Sequence, residues 1–361
     1  MKLTKLLRYL TAVFMVGINL WNFVVNDYAW PVVSRDGAYL MTYFVGNAPE
    51  EQRLHFAVST DGYNFAALNN NEAVIEQTLG TGCVRDPYIL KAKDESGREC
   101  YYIVATDMDA MQGWVSNHAF IFWKSYDLIN WEDEFVLDIR DFEGWEGCNR
   151  AWAPQIIYDE AKDEYMVYLA LSTWDDPNTP ENEDCAQHYY MYTKDFKNFT
   201  APEYLYGRHS ALNTVSGNIE DIQCIDGDLI YNEKDGYYYL YFKHDETQKI
   251  AYVRSKNITG SYEDEEPVIV SLNWWGVEGS FMYNITGTNQ WIMFVDEYAE
   301  GSFFAQMTSD FRNFKRFRRA LYSVDHLHPR HGSVTAISED DYERLVEHFG
   351  ISEIPPKEKD K

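Results

Sequence analysis

The chain has 361 residues, 45 % of them hydrophobic and 25 % charged, a composition that supports a sizeable packed core and excludes global disorder. Its formal net charge of −27 repels nucleic acid phosphates and anionic lipid heads, which removes both as partners and leaves neutral ligands open. The cysteines (Cys83, Cys100, Cys148, Cys185 and Cys224) are odd in number and show no zinc-ligand spacing, so buried free thiols are expected.

At the N-terminus, Lys2, Lys5 and Arg8 precede an uncharged stretch from Tyr9 to Val25. Basic residues ahead of an apolar run suggest a signal or anchor. Residues 1–29 are therefore expected to be such a segment or an N-terminal extension, with secretion or the cell envelope favoured over the cytoplasm. Residues 30–361 are expected to form one domain and to act as a monomer.

A short turn then recurs along the chain. It reads Ser59-Thr60-Asp61-Gly62-Tyr63-Asn64-Phe65, then Ser125-Tyr126-Asp127-Leu128-Ile129-Asn130-Trp131. It returns as Thr193-Lys194-Asp195-Phe196-Lys197-Asn198-Phe199, in degenerate form at Arg254–Tyr262, and as Thr308-Ser309-Asp310-Phe311-Arg312-Asn313-Phe314. The spacing of about 55 to 70 residues suits a four-stranded propeller blade with long loops. First strands are predicted at Asp86–Leu90, Ala153–Tyr158, Asp226–Tyr231, Glu278–Tyr283 and His331–Ala336, and aromatic second strands at Tyr101–Ala105, Tyr165–Leu169, Tyr237–Phe242 and Trp291–Val295. The fifth unit lacks its later strands near the C-terminus, but Ala38–Phe44 and Leu54–Val58 can supply them. The fold class is therefore all-β: a five-bladed β-propeller whose last blade is closed by N-terminal strands, which removes an exposed sheet edge.

In a propeller the first strand of each blade lies nearest the axis. The equivalent first-strand position gathers Asp86, Ala153, Asp226, Glu278 and His331. Clustered carboxylates raise one another's pKa, and proteins keep them for metal binding or acid–base work. Glycosidic cleavage uses such a set: one acid protonates the departing oxygen, a second carboxylate acts on the opposite face, and a third tunes the first. Strand-capping acids or a structural ion site are the plainer alternative. The high aromatic content, 28 Tyr, 20 Phe and 11 Trp, fits both sheet packing and a sugar-binding cleft.

From about Gly37 to Ile351 the chain resembles glycoside hydrolase family 43. The resemblance rests on Asp86-Pro87-Tyr88-Ile89, Trp152-Ala153-Pro154, Ile225-Asp226-Gly227-Asp228-Leu229-Ile230 and Val277-Glu278-Gly279, in that order. It implies Asp86 as general base, Glu278 as general acid and Asp226 as pKa modulator. It also implies inversion, with base and acid roughly 6.5–9.5 Å apart. His328-Pro329-Arg330-His331-Gly332-Ser333 resembles the family's last-blade histidine segment, which places His331 at the pocket floor near a water or calcium. Arg330 would bind sugar hydroxyls and keep Asp86 ionised, and Trp152 would stack on the sugar. Trp114, Trp145 and Trp174 are candidates for outer subsites. Asp228 rivals Asp226 but, at an even offset, should lie one step deeper on the same strand face.

The resemblance implies release of terminal α-L-arabinofuranosyl or β-D-xylosyl residues from neutral plant oligo- or polysaccharide, with no cofactor required and at most a structural calcium. Fructan-cleaving and phosphorolytic enzymes share this propeller. The former need an early Asn-Asp-Pro motif, absent here, and the latter a basic pocket, for which the sequence shows no basic cluster. A non-catalytic sugar-binding propeller is the other class left open.

Overall fold

The computed structural model describes residues 27–34, 37–173, 185–212 and 219–356. Five four-strand meanders radiate from a common axis. The first blade holds Val84–Lys93, Glu99–Asp107, Ala119–Ser125 and Trp131–Asp138; the second holds Cys148–Asp159, Glu164–Thr173, Gln187–Thr193 and Glu203–Tyr206. The third runs Cys224–Asn232, Tyr237–His244, Lys249–Ser255, Val268–Ile269, and the fourth Glu278–Asn284, Trp291–Glu297, Ser302–Thr308, Lys315–Phe317. The fifth pairs inner strand Arg330–Ile337 with Ala38–Phe44, His55–Ser59 and Ala66–Ala67 from the other end of the chain, so the ring closes as expected.

Tyr28–Ala29 falls inside the expected N-terminal extension, yet it pairs in parallel with Lys315–Phe317 as an outermost strand of the fourth blade. The extension thus contributes to the propeller. The remaining residues of that extension, 1–26, lie outside the described part. A hairpin of Arg208–Leu212 with Ile219–Ile222 and an α-helix, Glu339–Phe349, carry no repeat signal. Ser338 and Asp341 form a reciprocal capping box at the helix start, and Leu345 is buried against the fifth and first blades.

One apolar cluster fills each gap between neighbouring blades. Tyr39 and Tyr43 meet Phe281 and Phe294 between blades five and four, while Tyr168 and Tyr192 meet Leu240 and Phe242 between blades two and three. Most of the aromatic excess is therefore packing between sheets. Trp145 belongs here too: it packs edge-on against Tyr189, 4.8 Å between centroids, in the cluster between blades one and two. It is not in the axial pocket, contrary to the outer-subsite expectation. Trp174 lies outside the described residues. The cysteines form no disulfide; all are buried except the half-buried Cys185.

The repeated turn has one construction. Asp61, Asp127, Asp195 and Asp310 each accept the backbone N–H groups two and three residues on and the Asn side chain at the third. The residue after each Asp (Gly62, Leu128, Phe196, Phe311) takes a left-handed conformation. These side chain–backbone bonds explain why Asp and Asn recur at that spacing.

Candidate active site

Each inner strand bulges where it passes the axis. Register jumps from Arg85 to Tyr88, Trp152 to Gln155, Ile225 to Asp228 and Glu278 to Phe281, and a shorter slip surrounds His331. The first bulged residue is left-handed in four blades: Asp86 (φ 50°), Ala153 (47°), Asp226 (57°) and Gly279 (49°). Alanine brings no chemistry to this position, so the kink is a feature of blade geometry that re-aims the side chain toward the axis. Asp tolerates this conformation better than most residues.

This pattern corrects the sequence alignment of the blades. The counterpart of Asp86 and Asp226 in the fourth blade is Gly279, and Glu278 stands one residue earlier, level with Arg85, Trp152 and Ile225. A Cβ on Gly279 would lie 2.2 Å from Cδ2 of His331, so glycine is required for the imidazole to occupy the axis. Glu278, with one more methylene than Asp, reaches the same centre from the preceding position.

His331 is the hub. Its Nδ1 is 2.9 Å from Asp86 Oδ1. Its Nε2 is 3.4 Å from Glu278 Oε1 and 3.6 Å from Asp226 Oδ2, without donating a hydrogen bond to either. Thr106 Oγ1 donates to Asp86 Oδ2 at 2.8 Å and accepts the Ala153 N–H at 2.9 Å. Asp226 Oδ2 accepts the Gly279 N–H at 3.0 Å. Arg330 donates to Asp296 Oδ2 through Nε (2.7 Å) and to Glu278 Oε1 (2.9 Å), while Lys243 Nζ stands 3.3 Å from Glu278 Oε2. Arg330 therefore clamps Glu278 and makes no bond to Asp86, unlike the expected arrangement.

The electrostatics follow from these contacts. Burial pulls the His331 imidazole down, but the Asp226 and Asp86 charges outweigh it and raise its pKa well above the ordinary value. Burial alone would lift Asp86; the His331 charge and hydrogen bond, then Arg85, hold it below the usual carboxylate range. Glu278 is held far below by His331, Lys243 and Arg330 despite its burial. Asp226 is pushed up to about 6, chiefly by burial, with Glu278 and Asp86 adding to that and His331 opposing it. Asp226 and Glu278 titrate as a pair, and burial makes Asp226 the member that favours the proton.

Asp228 is fully buried behind this site, where Oδ2 accepts the Met282 N–H at 2.9 Å, and burial pushes its pKa up to about 8. The bulge at Asp226 breaks strict alternation, so the even-offset expectation does not apply. Asp228 braces the fourth blade and does not line the axial pocket.

Above the acids opens a cavity of about 510 Å³ lined by Asp86, Asp226, Glu278, Trp152, Arg330 and His331 together with Asn47, Arg85, Met108, Trp114, Arg150, Gln223, Lys243 and Tyr298. Trp152 Nε1 is buried in this wall with no hydrogen-bond partner, and Arg150 lies over its ring at 5.2 Å. Arg85 packs over Phe44 and Trp114 and donates to Asn47 and Gln52. The sequence shows no basic cluster, yet the fold gathers Arg85, Arg150, Lys243 and Arg330 here. Arg330 and Lys243 are engaged by carboxylates.

Asp226, Glu278 and His331 present donor atoms within 4.8 Å of one another. A calcium ion does not fit them: calcium takes 6–8 oxygen ligands, whereas this set includes a nitrogen and faces Arg330 and Lys243. A second cavity of about 20 Å³ lies beneath, among Tyr88, Gln155, Ser280 and His331. It has the volume of a single water, and the unpartnered Ser280 hydroxyl offers that water a bond.

Sequence reading missed Thr106, Lys243 and Asp296. The second strands place them directly opposite Arg85, Ile225 and Glu278. The repeat contains that signal, because all three fall at the end of an aromatic second strand.

Residues 36–343 match the family described as a probable glycosyl hydrolase domain, related to glycoside hydrolase family 43. The chain belongs to the family 43 glycoside hydrolases. Over 176 residues, 44 % of the chain, it is 28 % identical to an α-L-arabinofuranosidase of Bifidobacterium longum subsp. longum, and the match spans only 16 % of that enzyme's length. An exo-1,5-α-L-arabinanase from a bovine ruminal metagenomic library superimposes with a TM-score of 0.53 at 18 % identity, over 80 % of this chain and 96 % of that one. An α-L-arabinanase variant from Cellvibrio cellulosa gives 0.51 at 16 % identity, over 91 % and 98 %. At these identities the two structures establish the shared propeller.

Proposed function

We propose that this family 43 glycoside hydrolase releases terminal α-L-arabinofuranosyl residues, or the related β-D-xylosyl residues, from neutral plant polysaccharide by an inverting mechanism. The observation that carries this reading is the pairing of Asp86 and Glu278 with opposite nitrogens of one imidazole at the floor of the axial cavity. An inverting mechanism needs the two carboxyl groups far enough apart to admit a water, and two carboxyls on opposite nitrogens of one ring are compatible with that. The name of the Bifidobacterium relative favours arabinose.

In this mechanism Asp86, ionised under His331 and Arg85, takes the proton of the attacking water. Glu278 delivers a proton to the departing oxygen, drawing it from the Asp226–Glu278 pair. Asp226 is the reservoir, because burial raises its pKa while the cations around Glu278 lower that of its partner. Lys243 stands between Glu278 at 3.3 Å and Asp245 at 3.5 Å, so turning toward Asp245 would free Glu278 for protonation. Trp152 Nε1 supplies a donor to a sugar hydroxyl.

The test is an arrayed screen of aryl α-L-arabinofuranosides, β-D-xylosides, arabino- and xylo-oligosaccharides, with the product anomer followed by NMR, with and without phosphate. Inverted pentose, independent of phosphate, is expected, and Asp86→Asn or Glu278→Gln should lower kcat by about 10²–10⁴. Retention of configuration, phosphate dependence, or full turnover in both variants would refute the assignment.

A further inference from the structure

We propose that the segment leading into Glu278 forms a second carbohydrate site, a groove floored by Trp274 and Trp275 that holds the polymer on the leaving-group side of the cleaved bond. The inference rests on the reading of Glu278 as the acid and extends it: the substrate is then a neutral polysaccharide chain, not a short glycoside.

Trp274 and Trp275 are 82 % and 66 % exposed, on adjacent residues. Such a pair of open indoles is a hydration liability unless something covers it. The loop is built to hold them out. Lys249 Nζ donates to the carbonyls of Asn273 (2.8 Å) and Trp275 (2.7 Å), and Asn273 Nδ2 donates to the Trp275 carbonyl at 2.7 Å. The Val277 N–H donates to the Gln248 carbonyl at 3.0 Å. Asn273 is buried, and its Oδ1 has no hydrogen-bond partner.

The two indoles line an open groove of about 780 Å³ with Asn273, Phe304, Arg316 and His328. Arg316 lies over the Trp274 ring at 5.7 Å. Of the groove's acids Glu297, Glu300 and Asp325, the first and last are paired with Arg319, which offsets part of its charge and suits neutral hydroxylated rings over a charged polymer. The groove and the axial cavity are lined by neighbouring stretches of chain, Glu297 beside Tyr298 and His328 two residues before Arg330. Gly276 packs against the Tyr298 hydroxyl, which lines that cavity, and Glu278 is three residues beyond Trp275 in the chain. A sugar chain whose end sits at Asp86 and whose scissile oxygen faces Glu278 leaves over Trp275 and then Trp274. Aromatic faces suit the apolar side of sugar rings, and the indole N–H groups and Asn273 Oδ1 suit hydroxyls.

The experiment compares Trp274→Ala/Trp275→Ala with Trp274→Phe/Trp275→Phe and the parent, on an aryl α-L-arabinofuranoside and on soluble arabinan and xylan. For whichever polymer is cleaved, KM should rise about tenfold in the Ala variant, with kcat little altered. That rise should exceed the change on the aryl glycoside by about the same factor, and Phe should restore most of it. Equal effects on both substrate types, or none on the polymer, overturn the groove. In parallel, gel retardation of Glu278→Gln protein by the same polymers is compared with and without the Trp→Ala pair. If the parent enzyme cleaves no sugar tested, the function above falls; retardation abolished by the Trp→Ala pair would still support the groove, and unchanged retardation would overturn it.

Discussion

Gly279 and His331 compete for one volume: any Cβ at residue 279 would lie 2.4 Å from His331 Nε2, the atom that faces both Glu278 and Asp226. Gly279 also keeps a left-handed φ of 49°, which disfavours a side chain on its own account. Gly279→Ala should therefore displace the imidazole while the five inter-blade clusters stay intact. Misplacement by about 1 Å lowers turnover by about a hundredfold, so kcat/KM should fall at least that far with the far-ultraviolet spectrum preserved. Parent-like kinetics would show that the imidazole position does not matter.

Lys243 affords a test of the proton distribution. Its charge favours ionised Glu278, and its loss removes one of the three cations that hold that carboxyl down. The productive free enzyme has one proton on the Asp226–Glu278 pair, so kcat/KM should decline as pH rises through about 6, where Asp226 titrates. In Lys243→Met the pair binds its proton more tightly, and this alkaline limb should move upward. A limb that stays put, or moves down, would show that Lys243 does not act on the pair.

The blade repeat was readable because each turn must satisfy its backbone with an Asp and an Asn at fixed spacing, and closure followed from the strands missing in the last unit. Aromatic content alone could not divide packing from binding. Trp145 and Trp152 look alike in sequence, yet one fills a blade interface and the other lines the cavity. The bulge hid the true alignment of the fourth blade, since Glu278 and Gly279 are adjacent and only backbone register shows which one is kinked. Lys243 and Asp296 were missed because they face the axis from second strands. The hairpin after Arg208 and the C-terminal helix have no repeat to announce them.

Thr106 links the first and second blades through one hydroxyl, donating to Asp86 and accepting from the Ala153 N–H. Thr106→Val keeps the shape and removes both bonds. A buried N–H left without its acceptor costs about 1–3 kcal/mol, to be read as a lower denaturant midpoint with unchanged m. Asp86 also loses a donor that favours its ionised form, so the acid limb of kcat/KM should shift upward. Unaltered stability and an unmoved acid limb would show the hydroxyl to be dispensable.

Asp228 should make the protein's stability depend on pH in a direction opposite to the usual aspartate. Burial raises its folded pKa to about 8, against about 3.9 for an unfolded aspartate. Between those values the folded state binds the proton more tightly than the unfolded chain does. Stability from this group is therefore full below about pH 4 and is lost progressively as pH rises to about 8. Asp228→Asn keeps an oxygen to accept the Met282 N–H and never ionises. The variant and the parent should melt at similar temperatures at pH 4, and the variant should gain steadily up to about pH 8, then hold a constant lead. Thermal melts at intervals across that range read the difference directly; a difference that does not change with pH would mean that Asp228 is not the buried neutral acid its surroundings require.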